Sequence, residues 1–282
     1  TAVGSIGGLV GINEGVITNA YSSATVTASG ATGGSQTLGA GTDGGIGGLV
    51  GVNGTITGAI STSYASGAVT GIYDVGGLVG YHGFGAIDTS YATGAVTGTT
   101  NAGGLVGQVK VIPFSPPTVS ASYFNTTTTG QADAVGSGSS MVVSTTGLTD
   151  AQSKQQSNYA NFDFTNSWLM YDGVSHPLLR SMLTPVYVAT GDVTRTYDGN
   201  AYGYGSGDLS YSDSSASAAI DTAALTFSGT GIAAAFNSVT DAGSYTVTAG
   251  GLSIKAADQT DQHGYFISGY LDSTLTIDQA SL

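Results

Sequence analysis

Cysteine is absent from this 282-residue chain, so neither a disulfide nor a thiolate metal site can hold it together. Basic residues are nearly absent as well. Lys110, Lys154, Lys255, Arg180 and Arg195 stand against 18 acidic residues and leave a formal net charge of −13. Five scattered cations are a poor match for a phosphate backbone or an anionic bilayer, which argues against nucleic acid and membrane as partners. No run approaches the roughly 18 apolar residues of a spanning helix, so no membrane insertion is expected. Charged residues make up only 8% of the chain, and long helix-forming stretches are missing. The chain starts at Thr1 without an initiator Met, and we read it as a piece of a longer polypeptide.

What the chain has is glycine, small hydroxyl residues, β-branched residues and 16 Tyr, with 46 Gly in all. The apolar residues come in short, evenly spaced bursts, which a disordered chain would lack. This composition predicts an all-β protein. Four copies of Gly-Gly-Leu-Val-Gly stand at 7–11, 47–51, 76–80 and 103–107, at spacings of 40, 29 and 27 residues. Each opens a unit with a turn, an apolar residue, a Tyr (Tyr21, Tyr64, Tyr91, Tyr123) and usually a Val-Thr strand ending in Gly. Repeats of this length need neighbours to cover their apolar faces, so a short β-solenoid is expected.

Stacked coils would place Leu9, Leu49, Leu78 and Leu105 in one interior column and the four Tyr in another, partly exposed. The extra stretch Ala31–Gly45 in the first unit would form a loop on one side, a candidate contact loop. We expect a cap over about 131–183, because an open last coil exposes strand edges. It would hold a helix at 147–158 with Thr149-Asp150 at its N-terminus, and a buried Trp168 among Phe162, Phe164, Leu169, Leu178 and Leu179. From 184 to 282 the pattern changes to alternating strands, including 186–190, 208–212, 224–229, 243–249 and 273–277. A compact antiparallel β domain is expected there, either a sandwich or a β-grasp-like sheet.

No arrangement of residues suggests catalysis. Glu14, Asp43, Asp74 and Asp88 fall at different offsets from the pentapeptide, so they would not pair across a glycosidic bond. His82, His176 and His263 lie in turn-like or cap contexts without a nucleophile elbow. Three isolated His and no Cys argue against zinc, and Asp258 with Asp261 falls short of a calcium ligand set. Thr25, Thr27 and Thr70 invite comparison with ice-binding faces but do not form a two-column array. Lys255, the one Lys of the second domain, lacks a recognisable cross-linking partner, and Asp198 in Tyr-Asp-Gly reads as a turn residue.

The GGLVG units resemble the GLUG repeats of large secreted bacterial adhesins. The stretch from SYFNTTTTGQ to HPLLRS is similar to the tail that follows such repeats, and TRTYDGNAY…DAGSYTV…STLTI resembles an MBG/YDG-type domain. The resemblance implies a filamentous-haemagglutinin-like protein, exported by two-partner secretion and displayed at a bacterial surface. Domains 1–183 and 184–282 would then be a repeat solenoid and one MBG/YDG-like module. No enzyme, cofactor or metal is expected. Partners would be a host-surface glycan or protein, self-association, or flanking modules of the parent chain. Binding residues are not identifiable, although Ala31–Gly45 or Tyr202 and Tyr204 could form an adhesive patch. A passive stalk and a polysaccharide-processing solenoid enzyme are the alternatives.

Overall fold

A computed structural model describes residues 4–29, 44–110, 116–138, 144–200, 202, 208–212, 227–229, 241–254 and 264–281. The chain is nearly all β and divides into two compact units, Thr1–Arg180 and Ser181–Leu282.

In the first unit every repeat adds a strand to parallel sheets, in register with the repeats before and after. One sheet orders Ile6–Gly7, Ile46–Gly47, Tyr73–Gly76 and Thr100–Gly103, and a second orders Val10–Asn13, Val50–Asn53, Val79–His82, Val106–Val109 and Val135–Ser137. A third gathers Val16–Ser22, Ala59–Ala65 and their later counterparts, and a fourth Val26–Thr27, Val69–Thr70 and Val96–Thr97. Like therefore lies on like. Val10, Val50, Val79, Val106 and Val135 are successive partners, as are Tyr21, Tyr64, Tyr91 and Tyr123. Leu49, Leu78 and Leu105 are fully buried, and burial of this kind stabilises by roughly 1.5–3 kcal/mol per side chain. Leu9 departs from the expected interior column. It is 48% exposed, because none of the described residues lies on its outer side.

The pentapeptide's glycines answer to close approach. A Cβ on Gly76 would sit 1.9 Å from the Val79 carbonyl oxygen and 2.7 Å from the Gly107 nitrogen, so no larger residue fits between these layers. The corner before each Tyr is a left-handed residue: Asn19, Thr62, Thr89 and Ala121 have φ of 51°, 47°, 43° and 43°. A buried serine follows it in three coils. Ser63, Ser90 and Ser122 each donate Oγ–H to the carbonyl two residues back, at 2.7, 2.8 and 2.7 Å. Each Oγ then accepts the N–H of the equivalent residue in the previous layer: Ser63 from Ala20, Ser90 from Ser63 and Ser122 from Ser90.

A fifth layer continues the stack within the stretch expected to be cap. Val135–Ser137 pairs parallel with Val106–Val109, and Thr145–Leu148 with Ser122–Asn125. Its string, Ala132-Asp133-Ala134-Val135-Gly136, is the pentapeptide with two glycines and the leucine replaced. The expected helix at 147–158 is absent. Thr149 and Gln152 do cap each other, with Gln152 Oε1 accepting the Thr149 N–H at 2.9 Å, but only 3-10 turns follow at Gln152–Lys154 and Gln156–Asn158. Between 152 and 158 only Ser153 is buried, so no apolar stripe exists to hold a longer helix against a core. The α-helical turn that does form, Thr126–Thr129, is capped by Asn125 Oδ1 and closed by Gly130 at φ 70°.

The second unit holds two three-stranded sheets. Thr184–Ala189 lies between Ser210–Ser212 and Tyr265–Tyr270, and Asp272–Asp278 lies between Val193–Thr196 and Gly243–Thr248. Phe227–Gly229 pairs with Leu252–Ile254. The expected antiparallel domain is in fact mixed. Thr184–Ala189 runs parallel to Tyr265–Tyr270, and Val193–Thr196 parallel to Asp272–Asp278. Two consecutive strands from one end of the unit thus meet two from the other end, and the intervening chain supplies the crossover that parallel pairing needs. Val186 and Val188 anchor one small core, and Val247, Leu275 and Ile277 another.

The leucine column makes a graded prediction. Leu78→Ala should cost about 2–5 kcal/mol, while the chemically identical Leu9→Ala should cost roughly 1 kcal/mol or less. Urea denaturation followed by Trp168 fluorescence measures both.

Candidate functional site

Tyr64 and Tyr91 stack with ring centroids 4.8 Å apart and planes at 4°, and Tyr21 lies 5.3 Å from Tyr64. Sequence spacing suggests a partly exposed column, yet Tyr64, Tyr91 and Tyr123 are buried beneath residues 159–179. Trp168, 1% exposed, tilts over Tyr91 at 5.7 Å and stacks on Phe162 at 4.6 Å. Tyr159 and Phe162 close over Tyr123 at 4.7 and 5.3 Å. The Tyr91 hydroxyl donates to the Pro177 carbonyl, and the Tyr159 hydroxyl to that of Ser153 at 2.8 Å. Burial pushes both hydroxyls well above the ordinary tyrosine range. Tyr64, Tyr91 and Tyr123 are thus core contacts, while Tyr21 at the end of the column is partly exposed.

A second column was not legible from the sequence. Asn13, Asn53 and His82 occupy one register position at the ends of successive strands and are all buried. Asn13 Nδ2 donates to Asn53 Oδ1 at 2.8 Å, and the two hydrogens of Asn53 Nδ2 are shared among three acceptors, the Gly58 and Phe84 carbonyls at 3.1 and 3.0 Å and His82 Nδ1 at 3.2 Å. His82 Nε2 lies 3.1 Å from the Thr118 carbonyl, which can only accept. The ring is therefore neutral, with its proton on Nε2 and Nδ1 accepting from Asn53. Burial lowers its pKa to about 4, against a smaller upward pull from the Thr118 carbonyl. The readable signal was the shared position five residues beyond the second Gly of each Gly-Gly pair.

The acidic residues do not converge. Asp74 is buried and accepts from Asn101 Nδ2 at 2.7 Å, Asp88 accepts from Ser120 Oγ at 2.7 Å on another sheet, and Glu14 is exposed. A Ser/His/Asp grouping does occur where Ser153 Oγ lies 3.1 Å and Asp150 Oδ1 3.8 Å from His176. Both face the same nitrogen, Nε2, whereas a relay needs the acid on the opposite nitrogen of the ring from the nucleophile. Ser153 is also 2% exposed and spends its hydrogen on the Asp150 carbonyl. Asp150 pairs with Lys154 at 2.9 Å, and Asn125 Nδ2 bonds both Asp150 and Ser153, so the group ties the fourth layer to the turns that follow the fifth. Burial lowers the His176 pKa, followed by repulsion from Lys154.

Thr27, Thr70 and Thr97 form one exposed, in-register column, and Thr25 stands outside it. Tyr202 lies under the Arg195 guanidinium at 5.0 Å and packs on the core of Val247, Leu275 and Ile277, so it is not a free aromatic patch. Asp198 Oδ1 accepts the Asn200 N–H at 2.9 Å across Gly199 at φ 81°, the expected turn role. Residues 31–43, Tyr204, Lys255, Asp258, Asp261 and His263 lie outside the described residues. A shallow hollow of about 510 Å³ is lined by Gln156, Ser157, Tyr159, Ala160, Phe164 and Asp172, with Asp172 Oδ1 holding the Gln156 N–H at 2.7 Å. Among the described residues no three His, Asp or Glu are placed to share a metal ion, and no helix is long and apolar enough to cross a membrane.

The family described as the GLUG motif matches residues 2–27 and 71–97. The chain thus carries GLUG repeats in its first unit. No curated protein and no solved structure matches it.

The His82 column predicts acid sensitivity. An ordinary His, near 6.5, takes a proton in the unfolded chain that His82 refuses until about pH 4. Stability is then full above pH 6.5 and falls through the window from 6.5 to 4, by about 3 kcal/mol for such a shift. His82→Asn extends the asparagine column and should flatten that slope to what His176 contributes. Urea midpoints at pH 7.5, 5.5 and 4 test this.

Proposed function

We propose that the chain is a structural and adhesive segment of a large secreted bacterial surface protein, without catalytic activity. In this reading the first unit is a GLUG-repeat β-solenoid closed over its tyrosine column by residues 159–179. The second is an MBG/YDG-type module, and the parent is a filamentous-haemagglutinin-like adhesin. The observation that carries the reading is the in-register parallel stacking of like residues across successive repeats. It gives a stiff body whose length is set by repeat number, while the buried polar groups are spent on structure. A bacterial surface, outside the cell, is the natural setting for such a spacer, with contact to a host-surface glycan or protein made weakly and many times. The match of the GLUG motif to two repeats supports the same assignment.

The competing reading is a passive stalk, favoured by the uniform Thr column and by an aromatic column that is buried. Fluorescent beads coated with the whole chain, applied to a glycan array and to cultured host cells, separate the two. Saturable, glycan- or protein-selective capture is the expected result. Failure to capture anything by a folded, densely coated chain leaves a spacer and removes adhesion from this segment.

A further inference from the structure

Asn125 ends the fourth-layer strand Ser122–Asn125 and caps the helical turn Thr126–Thr129. Its side-chain amide is buried, and each of its hydrogen-bonding positions is used. Oδ1 accepts the Thr127 and Thr128 N–H groups at 3.0 and 3.1 Å. Nδ2 donates to Asp150 Oδ1 at 3.1 Å and to Ser153 Oγ at 3.2 Å. The other Asp150 oxygen, Oδ2, accepts from Lys154 Nζ at 2.9 Å. A helix cap needs only Oδ1, and an ion pair needs no amide, yet here the two share one carboxylate. The Lys154 hydrogen bond comes first among the causes that hold the Asp150 carboxyl below the usual range, so it stands ionised between amine and carboxamide.

These groups are the parts that acyl transfer to nitrogen requires. Lys154 is the nucleophile, on a flexible stem whose part-exposed end can move from Oδ2 to the neighbouring carbon. Asn125 Cγ is the electrophile, and the two backbone N–H groups on Oδ1 sit where an oxyanion develops. Asp150 takes a proton at Oδ2 and returns one at Oδ1, beside the leaving nitrogen. Ser153 frames the amide: its hydroxyl donates to the Asp150 carbonyl and accepts from Asn125 and from His176 Nε2 at 3.1 Å.

We propose that this is a self-modification site, where Lys154 Nζ and Asn125 Cγ join in an isopeptide bond with release of ammonia. Asp150 accepts a proton from the Lys154 ammonium, and the free amine attacks Asn125 Cγ. Negative charge gathers on Oδ1, and Asp150 passes its proton to Nδ2. The attacking nitrogen then gives up a second proton to Asp150, and the Cγ–Nδ2 bond breaks with its electron pair leaving on nitrogen. The departing ammonia takes that second proton away as ammonium. The step happens once per chain and locks the fourth layer to the turns after the fifth. It is independent of the adhesive reading.

The whole chain, held for several days at mildly alkaline pH and weighed intact, tests this, with Trp168 fluorescence verifying the fold. The expected result is the loss of one ammonia, together with a tryptic peptide spanning residues 111–180 that is not cut after Lys154. Chain unfolded in urea should form no such bond. The cross-linked chain should melt several degrees above Lys154→Arg, which keeps a cation for Asp150 but has no nucleophilic amine. Asp150→Asn should slow the reaction roughly a hundredfold. A folded chain that keeps its full mass and is cut after Lys154 overturns the proposal and leaves an ion pair beside a helix cap. Ammonia lost equally from Lys154→Arg also overturns it and assigns the loss to another asparagine, with Asn53 before Gly54 the first to check.

Discussion

Parallel backbones stacked in register put each residue on its own counterpart, and the repeat unit is organised by that constraint. Through the first four layers a leucine meets a leucine, a tyrosine a tyrosine, and a glycine a backbone too near for any Cβ. Favourable columns repeat their gain at every layer, and unfavourable ones repeat their cost. This is why Val10, Val50, Val79, Val106 and Val135 hold one position through five layers. It also favours buried polar residues in columns such as Ser63, Ser90 and Ser122, where each layer satisfies the next.

The two polar columns meet that demand differently. The serine column keeps each hydroxyl inside its own corner and offers the oxygen to the next layer, so it can run indefinitely and stops where Ala20 replaces Ser. The asparagine column exchanges amide for amide until His82 closes it against a backbone carbonyl. Val109 takes the following position, where no further polar partner is needed. A neutral imidazole with a fixed tautomer suits such a terminus, and the column thereby acquires the one protonation step that an all-amide column lacks.

The period, the strand content and the identity of the leucine and tyrosine columns were legible because the residues recur as types. The serine column was not, because Ser63, Ser90 and Ser122 look like surface polar residues until the left-handed corner turns them inward. The fifth layer escaped notice because Ala132–Gly136 keeps the pentapeptide's shape while losing its letters. The short turns at 152–158 look helical by capping alone, and capping does not substitute for a buried face. In the second unit alternation revealed most strands but not their direction, since a period of two is the same for parallel and antiparallel neighbours. The buried state of the tyrosines depended on residues 159–179 folding back, a long-range contact that local pattern does not encode.

In each of the first four layers, the step from the apolar residue to the tyrosine is four residues: Ile17 to Tyr21, Ile60 to Tyr64, Ile87 to Tyr91 and Val119 to Tyr123. The step from the asparagine column to that apolar residue varies instead, from four residues after Asn13 to seven after Asn53 and ten after Val109. The first coil also returns to register across residues 30–43, with Val26 opposite Val69 before them and Ile46 opposite Val75 after. Length is thus rigid on one part of the circuit and elastic on the other. Sequence can be gained, lost or exchanged at the elastic corners while every column stays aligned, so the repeat unit can change what it displays without renegotiating how it holds together.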